Sequence, residues 1–234
     1  LMTRSLSLTH DSISLRNAGV VQIAQPATGH RFTLDSVLLS DFCRIRPGEQ
    51  VLEPGAGTGI ISLLLAKKHP RASFTLVEVQ SELSILSEQN IIDNDLSDRM
   101  IAVRADLRRL GRTFASGSFN AIVANPPYIK EGTGRMSPDR ARKIARQASA
   151  MSIASWLNLH RYLKNGGKYS VVFTASRLAE LLEEMRRRGL EPKRLRAVHP
   201  SADRPASIVL VEAVKQGGTG LEVLPPLMVR EPNG

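Results

Sequence analysis

The stretch Glu53-Pro54-Gly55-Ala56-Gly57-Thr58-Gly59 follows the apolar pair Val51-Leu52 and precedes the apolar face of Ile60–Lys68. Glycines at alternate positions let the backbone turn tightly and let a ligand approach it without interference from Cβ. A dinucleotide fingerprint would need its third glycine at position 60, where Ile60 stands, and no Gly-Lys-Ser/Thr follows for a nucleoside triphosphate. Alternating glycines behind an acid suit a ligand with an ammonium group, to which Glu53 would bring negative charge. Three glycines alone are satisfied by a plain strand-to-helix turn. Two later acids shift that balance. Glu78 ends the next strand-like segment, where a carboxylate can accept from both hydroxyls of a ribose. Asp106 follows the third such segment and can accept from a ring amino group. Single acids after strands are common turn residues, but three at successive strand ends mark the edge where open α/β sheets bind ligands.

Asn125-Pro126-Pro127-Tyr128 follows a fourth apolar segment directly. The two prolines lack N–H donors and fix φ near −65°, so the segment is stiff and rich in acceptors. The Asn125 side-chain oxygen and a proline carbonyl can converge on one amino group of a planar substrate, and Tyr128 offers a face on which that plane stacks. An exocyclic amine conjugated to a ring is a poor nucleophile because its lone pair is delocalised. Two acceptors drawing its hydrogens out of plane make the nitrogen more tetrahedral and restore reactivity, with no side-chain nucleophile or strong base required.

The elements that must hold these residues alternate. Val51-Leu52, Phe74–Val79, Ile101–Arg104, Ala121–Ala124, Tyr169–Phe173, Arg194–Val198 and Ile208–Val214 read as strands, and Ile60–Lys68 and Ser81–Asn94 as helices. Leu178, Leu181, Leu182 and Met185 form one helical stripe. Strands separated by helices need crossovers, so the class is α/β with a mainly parallel sheet of about seven strands. Thr33 is placed to cap a helix over Leu34–Cys43, and Ser137-Pro138-Asp139 has the order of a helix start. Trp156, Leu157, Leu159 and Leu163 read as helix core before a stop at Asn165-Gly166-Gly167, and Gly217–Gly220 as a linker. The chain is accordingly divided into an N-terminal extension with a helix over 1–48, a catalytic domain over 49–216 and a tail over 217–234.

Hydrophobic residues make up 42% of the 234 residues and charged residues 23%, which excludes a disordered chain. The single cysteine, Cys43, excludes an internal disulfide and favours a reducing compartment. No apolar run is long enough for a membrane span and no signal-peptide pattern is read, so a soluble, cytoplasmic protein without membrane contact is expected, with Met2 as its native start. The five histidines show no metal-site spacing, and no metal is expected. The outlier is a formal charge of +10, from 32 Lys+Arg against 22 Asp+Glu, which favours a polyanionic partner. Lys130, Arg135, Arg140, Arg142, Lys143 and Arg146 gather just after the reactive tetrapeptide and are read as contacts to a nucleic-acid backbone. Lys193, Arg194 and Arg196 would extend that surface. Arg186-Arg187-Arg188 is read as local helix chemistry, paired at i,i+4 with Glu183 and Glu184.

Taken together, these stretches resemble class I S-adenosylmethionine-dependent methyltransferases of the amino-methylating branch, and the bacterial valine-tRNA adenine-N6 methyltransferase family in particular. Arg31–Leu39, the Glu53–Gly59 loop, Ala124–Tyr128, Gly134–Asp139, Ile144–Arg146, Val198-His199-Pro200 and Pro225-Pro226-Leu227 carry the likeness. Glu53 stands where that family usually has aspartate, and Gln147-Ala148 where it generally has an acid. The resemblance implies a Rossmann-like, doubly wound, seven-stranded sheet, mostly parallel with its last strand antiparallel. It implies that Glu53, Gly55, Gly57 and Gly59 hold the methionine part of S-adenosyl-L-methionine, Glu78 its ribose and Asp106 its adenine. Asn125 and Pro126 would grip the target amine beside that cofactor, with Pro127 and Tyr128 completing the catalytic segment. The partner implied is tRNA, methylated at N6 of an adenosine in the anticodon loop. Glutamine methylation of release factors uses the same tetrapeptide on an amide nitrogen, and amino methylation of ribosomal RNA is a further alternative. A non-catalytic RNA-binding module would keep the fold but have no use for Asn125.

Overall fold

The computed structural model describes residues 7–15, 18–27, 31–127 and 152–229. The chain divides into two compact units, one of residues 1–115 with 119–123 and the other of 116–118 with 124–234.

The first unit opens with an antiparallel hairpin, β1 (Leu8–Leu15) and β2 (Gly19–Pro26), in a stretch for which the sequence suggested no element. Helix α1 (Leu34–Phe42) starts after Thr33, which takes the capping position with extended backbone but makes no side-chain cap bond. A parallel sheet comes next, of β3 (Gln50–Pro54), β4 (Ser73–Glu78), β5 (Met100–Arg104) and β6 (Phe119–Ala124), in the order β6-β3-β4-β5. The connecting helices are α2 (Ile60–Lys68), between β3 and β4, and α3 (Ser81–Asp93), between β4 and β5. Residues Ile60 to Ala66 of α2 are all buried, as a helix apolar on every side must be. The Arg99 guanidinium donates to the carbonyls of Ala66 at 2.8 Å, Ala72 at 3.3 Å and His69 at 3.4 Å, so it satisfies acceptors left over where α2 ends. Pro70 keeps the helix from continuing.

The second unit is built on β7 (Leu163–Thr174), β8 (Leu190–His199) and β9 (Ile208–Lys215), with β9 antiparallel to both of the others. The expected helix ahead of β7 is shorter than the apolar residues suggested. Residues Ile153–Leu157 are α-helical, Asn158–Tyr162 tighten into a 3-10 turn, and β7 begins at Leu163. Asn165-Gly166-Gly167 therefore lies inside the strand span, with Gly166 at φ 74°, and the ladder to β9 runs from Lys168 onward. The helix Leu178–Arg187 buries Leu181 and Met185 of the expected stripe and leaves Leu178 and Leu182 half-buried. The residues after the glycine linker do not merely trail: β10 (Glu222–Val223) and β11 (Leu227–Met228) pair in parallel with β8. Among the described residues no helix is long and apolar enough to cross a membrane.

Of the three basic residues expected to extend the basic surface, Arg194 is corrected by this packing. Arg194, expected at the surface, is 8% exposed and lies 3.3 Å from the Glu212 carboxylate opposite it on β9. Lys193 turns its ammonium to the carbonyls of Gly218 and Thr219 and so pins the glycine linker. Arg196 is only half-exposed, and its Nε is buried. The helix arginines behave as expected, with Arg187 2.6 Å from Glu183 and Arg188 2.6 Å from Glu184.

Candidate active site

The carboxyl ends of β3, β4 and β5 bring Glu53, the glycine turn, Glu78 and Asp106 to one edge of the first unit's sheet. Parallel pairing puts Glu53 beside Leu76 and Glu78 beside Arg104, so each acid lies two residues further along than the one on the strand before it.

The turn itself is held from below. Ala56 N–H donates to the Val77 carbonyl at 3.0 Å, and Gly59 N–H closes back on the Ala56 carbonyl at 2.9 Å. Gly55, Gly57 and Gly59 all have positive φ, at 65°, 58° and 84°. Two of them matter for different reasons. A Cβ on Gly59 would stand 2.6 Å from Leu76 Cδ2, so this glycine is needed for packing. A Cβ on Gly57 would meet nothing within 4 Å, so packing does not require a glycine there and the side from which a Cβ would project is open.

Glu53 is 2% exposed, and its Oε2 accepts from the Ser62 amide at 2.9 Å. That amide is one of the free donors in the first turn of α2, where the N-cap Gly59 has no side chain to offer. Burial pushes the Glu53 carboxyl up from 4.5 to about 7; the bonds from Ser62 pull it down, and the charge of Glu78 adds to the rise. A buried acid tuned close to neutrality at a sheet edge is a mark of function. Glu78 is 6% exposed and accepts from Gly57 N–H at 3.0 Å through Oε2 and from Gln80 N–H at 2.9 Å through Oε1. The glycine turn and this carboxylate thus fix one another.

Asp106 differs from the other two. Its side chain is 25% exposed and caps the 3-10 turn Leu107–Arg112 by accepting from Arg108 N–H at 2.9 Å. The Arg108 guanidinium grips both of its oxygens, at 3.0 Å from Nε and 2.6 Å from Nη2. Those hydrogen bonds hold the Asp106 carboxyl down at about 2, so it is an anion at every working pH. The sequence pointed to the acid but not to its arginine.

Asn125 follows the last residue of β6 and is half-buried; Pro126 is buried and Pro127 exposed. These three belong to the second unit. Tyr128, Lys130, Arg135, Arg140, Arg142, Lys143 and Arg146, with the Ser137-Pro138-Asp139 helix start, lie outside the described residues. Among the described residues no group of three or more His, Cys, Asp or Glu could hold a metal ion. Sequence reasoning missed Gln80 and Ser62, whose amides bind the two buried acids. Their only signal is position, one just before α3 and the other in the first turn of α2.

The fit to S-adenosylmethionine can be tested on these residues. An open backbone at Gly57, two buried acids and one exposed acid match a ligand with an ammonium, a vicinal diol and a ring amine, so the donor set fits. The sequence profile of the methyltransferase small domain family matches residues 33–186. A tRNA1(Val) (adenine(37)-N6)-methyltransferase from Vibrio campbellii is 27% identical over 190 residues, which is 81% of this chain and 77% of that protein. One of the same description from Erwinia tasmaniensis is 26% identical over 90% of this chain and 85% of its own. Among solved structures, a predicted O-methyltransferase from Agrobacterium tumefaciens superposes with a TM-score of 0.69 at 21% identity, covering 86% of this chain and 89% of that one.

Proposed function

We propose that this chain, which belongs to the methyltransferase small domain family, methylates N6 of an adenosine in tRNA, in the anticodon loop of a valine-type tRNA. Family and fold make it an S-adenosylmethionine-dependent methyltransferase of the Rossmann-like α/β class with a mainly parallel sheet. The finer reading concerns the acceptor. The observation that carries it is Asn125-Pro126-Pro127-Tyr128, emerging directly from the carboxyl end of β6. The names of similar proteins support it.

S-adenosylmethionine supplies an electrophilic methyl group on its sulfonium. Glu53 would face its ammonium end, the glycine turn would hold its methionine part, Glu78 would accept from its ribose hydroxyls and Asp106 from its adenine amine. Asn125 Oδ1 and the Pro126 carbonyl would accept from the two N–H groups of the target amine and so orient its lone pair for attack, the new N–C bond being balanced by the C–S bond that breaks as sulfur keeps the electron pair and becomes a thioether. Tyr128 stacks on the target base, which must leave its loop stack to reach this segment. After transfer the nitrogen gives up one proton to water, so no strong base is needed. Catalysis is then mainly alignment of the reacting atoms. Lys130, Arg135, Arg140, Arg142, Lys143 and Arg146 contact phosphates around the flipped base.

The test presents labelled S-adenosylmethionine with unmodified tRNA transcripts, a release factor and ribosomal RNA as competing acceptors. Label in tRNA alone is the expected result. Label in the release factor or ribosomal RNA, with none in tRNA, would overturn the assignment.

A further inference from the structure

We propose that Asn90 is a positioning residue for the cofactor turn, and that through it the N-terminal hairpin becomes part of the cofactor site. The inference rests on the reading that the Gly55–Gly59 turn holds S-adenosylmethionine.

Helix α3 carries Asn90, and Asn94 caps its carboxyl end one turn later; the two are 0% and 3% exposed. Both face β2. Asn90 Oδ1 accepts from Ala24 N–H at 2.8 Å, and its Nδ2 donates to the Ala24 carbonyl at 2.9 Å. Asn94 repeats the pair on Gln22, accepting at 2.9 Å and donating at 2.6 Å. The match is geometric. Four residues along a helix rise roughly 6 Å, and two residues along a strand span roughly 6.6 Å, so an i,i+4 amide pair can stand in for a neighbouring strand. The outer edge of the hairpin is closed by side chains instead of by backbone.

The two asparagines differ in their remaining N–H. Asn94 gives it to the Asn90 carbonyl of its own helix at 2.7 Å. Asn90 gives it to the Thr58 carbonyl, inside the glycine turn, at 3.0 Å. The peptide plane between Thr58 and Gly59 is thereby held on both sides, its carbonyl by Asn90 and its N–H by the Ala56 carbonyl at 2.9 Å. Gly57, just before it in the chain, has its N–H held by Glu78 at 3.0 Å, and only the side from which a Cβ would project stays open. A planar amide is the side chain suited to the place: both of its N–H donors and its oxygen are used at once, the oxygen accepting from Ala24 and the two donors going to Ala24 and Thr58. Asn94 is an internal control, because it holds the hairpin equally well and does not touch the turn.

The experiment measures S-adenosylmethionine affinity by calorimetry and thermal stability for the wild type, Asn90→Ala, Asn94→Ala and Glu78→Ala. Both asparagine variants should lose stability, since each opens the hairpin edge. Asn90→Ala should weaken cofactor binding tenfold or more, whereas Asn94→Ala stays within twofold of the wild type. Should either variant fail to fold, the unmodified protein carries the test by hydrogen exchange: cofactor should slow exchange of the Ala24 amide, which reaches the turn through Asn90. Equal affinities in the two asparagine variants, or an Ala24 amide indifferent to cofactor, would overturn the proposal. Unchanged affinity in Glu78→Ala would instead remove the cofactor reading of the turn beneath it.

Discussion

Glu53 is a buried acid whose ionisation costs stability, and on the proposed reading its charge would face the ammonium end of the cofactor. Its carboxyl rises from 4.5 to about 7 because it is buried. Between those values the folded chain keeps a proton that the unfolded chain releases, so stability falls as pH rises and the loss is complete above 7. At roughly 1.4 kcal/mol per unit the loss is about 3 kcal/mol. Glu53→Gln should match the wild type near pH 4.5 and exceed it above pH 7 by up to about 3 kcal/mol in urea denaturation. An equal gain at both ends would contradict the burial argument. The same variant should bind S-adenosylmethionine more weakly, and wild-type affinity should rise with pH towards 7 as the carboxylate ionises opposite an ammonium. Asp106 offers the complementary case. On the proposed reading adenine would have to compete there with Arg108, whose guanidinium already occupies both carboxylate oxygens. Arg108→Ala should tighten cofactor binding, within a few-fold because exposed ion pairs contribute little; weaker binding would make Arg108 a ligand contact instead of a competitor. The acids were legible in the sequence because each closes a strand. Their partners were not, because Ser62, Gln80 and Arg108 carry no pattern that separates them from ordinary helix and turn residues.

Among the elements, the strand-to-helix turn holds a glycine that packing requires, Gly59, and one that packing does not, Gly57. Gly59→Ala places a Cβ 2.6 Å from Leu76 Cδ2 at φ 84° and should lower the melting temperature markedly. Gly57→Ala meets open space, carries only the cost of a left-handed alanine, roughly 1 kcal/mol, and should fold while losing cofactor affinity. If both variants lose stability alike and bind alike, the open face of Gly57 is not a ligand face. The strands β3 to β6 were legible because short apolar runs closed by an acid, a glycine turn or, for β6, Asn125-Pro126 have few other readings. The hairpin was not. Its outer edge is closed by asparagines 66 and 72 residues further along, a pairing that no local pattern can register. Asn90 falls at helical spacing from Leu83 and Leu86, and a polar residue at such a place is the one local hint. The Asn165-Gly166-Gly167 stop failed for a similar reason, since the short helix and its 3-10 turn give way to a strand whose ladder partner, β9, lies some forty residues on, from Ile208.

For the molecule as a whole, the charge of +10 is the property that points outward. Its distribution is uneven. Arg187 and Arg188 are engaged by Glu183 and Glu184, and Arg194 by Glu212, so those charges are settled within the fold. Neutralising Arg135, Arg140 and Arg142 should flatten the log–log salt dependence of tRNA binding by roughly 0.7–0.9 for each phosphate they had neutralised. Arg187→Ala should leave that slope unchanged, and filter binding across a salt series distinguishes the two. A slope indifferent to all of these substitutions would remove the basic segment from the RNA interface. The most direct test of the central claim is nucleoside mass spectrometry on a valine tRNA transcript after incubation with the protein and S-adenosylmethionine, beside Asn125→Ala. The expected result is N6-methyladenosine from the wild type and none from Asn125→Ala, with cofactor affinity retained in the variant. Methylation at another atom, or N6-methyladenosine that persists without Asn125, would contradict it.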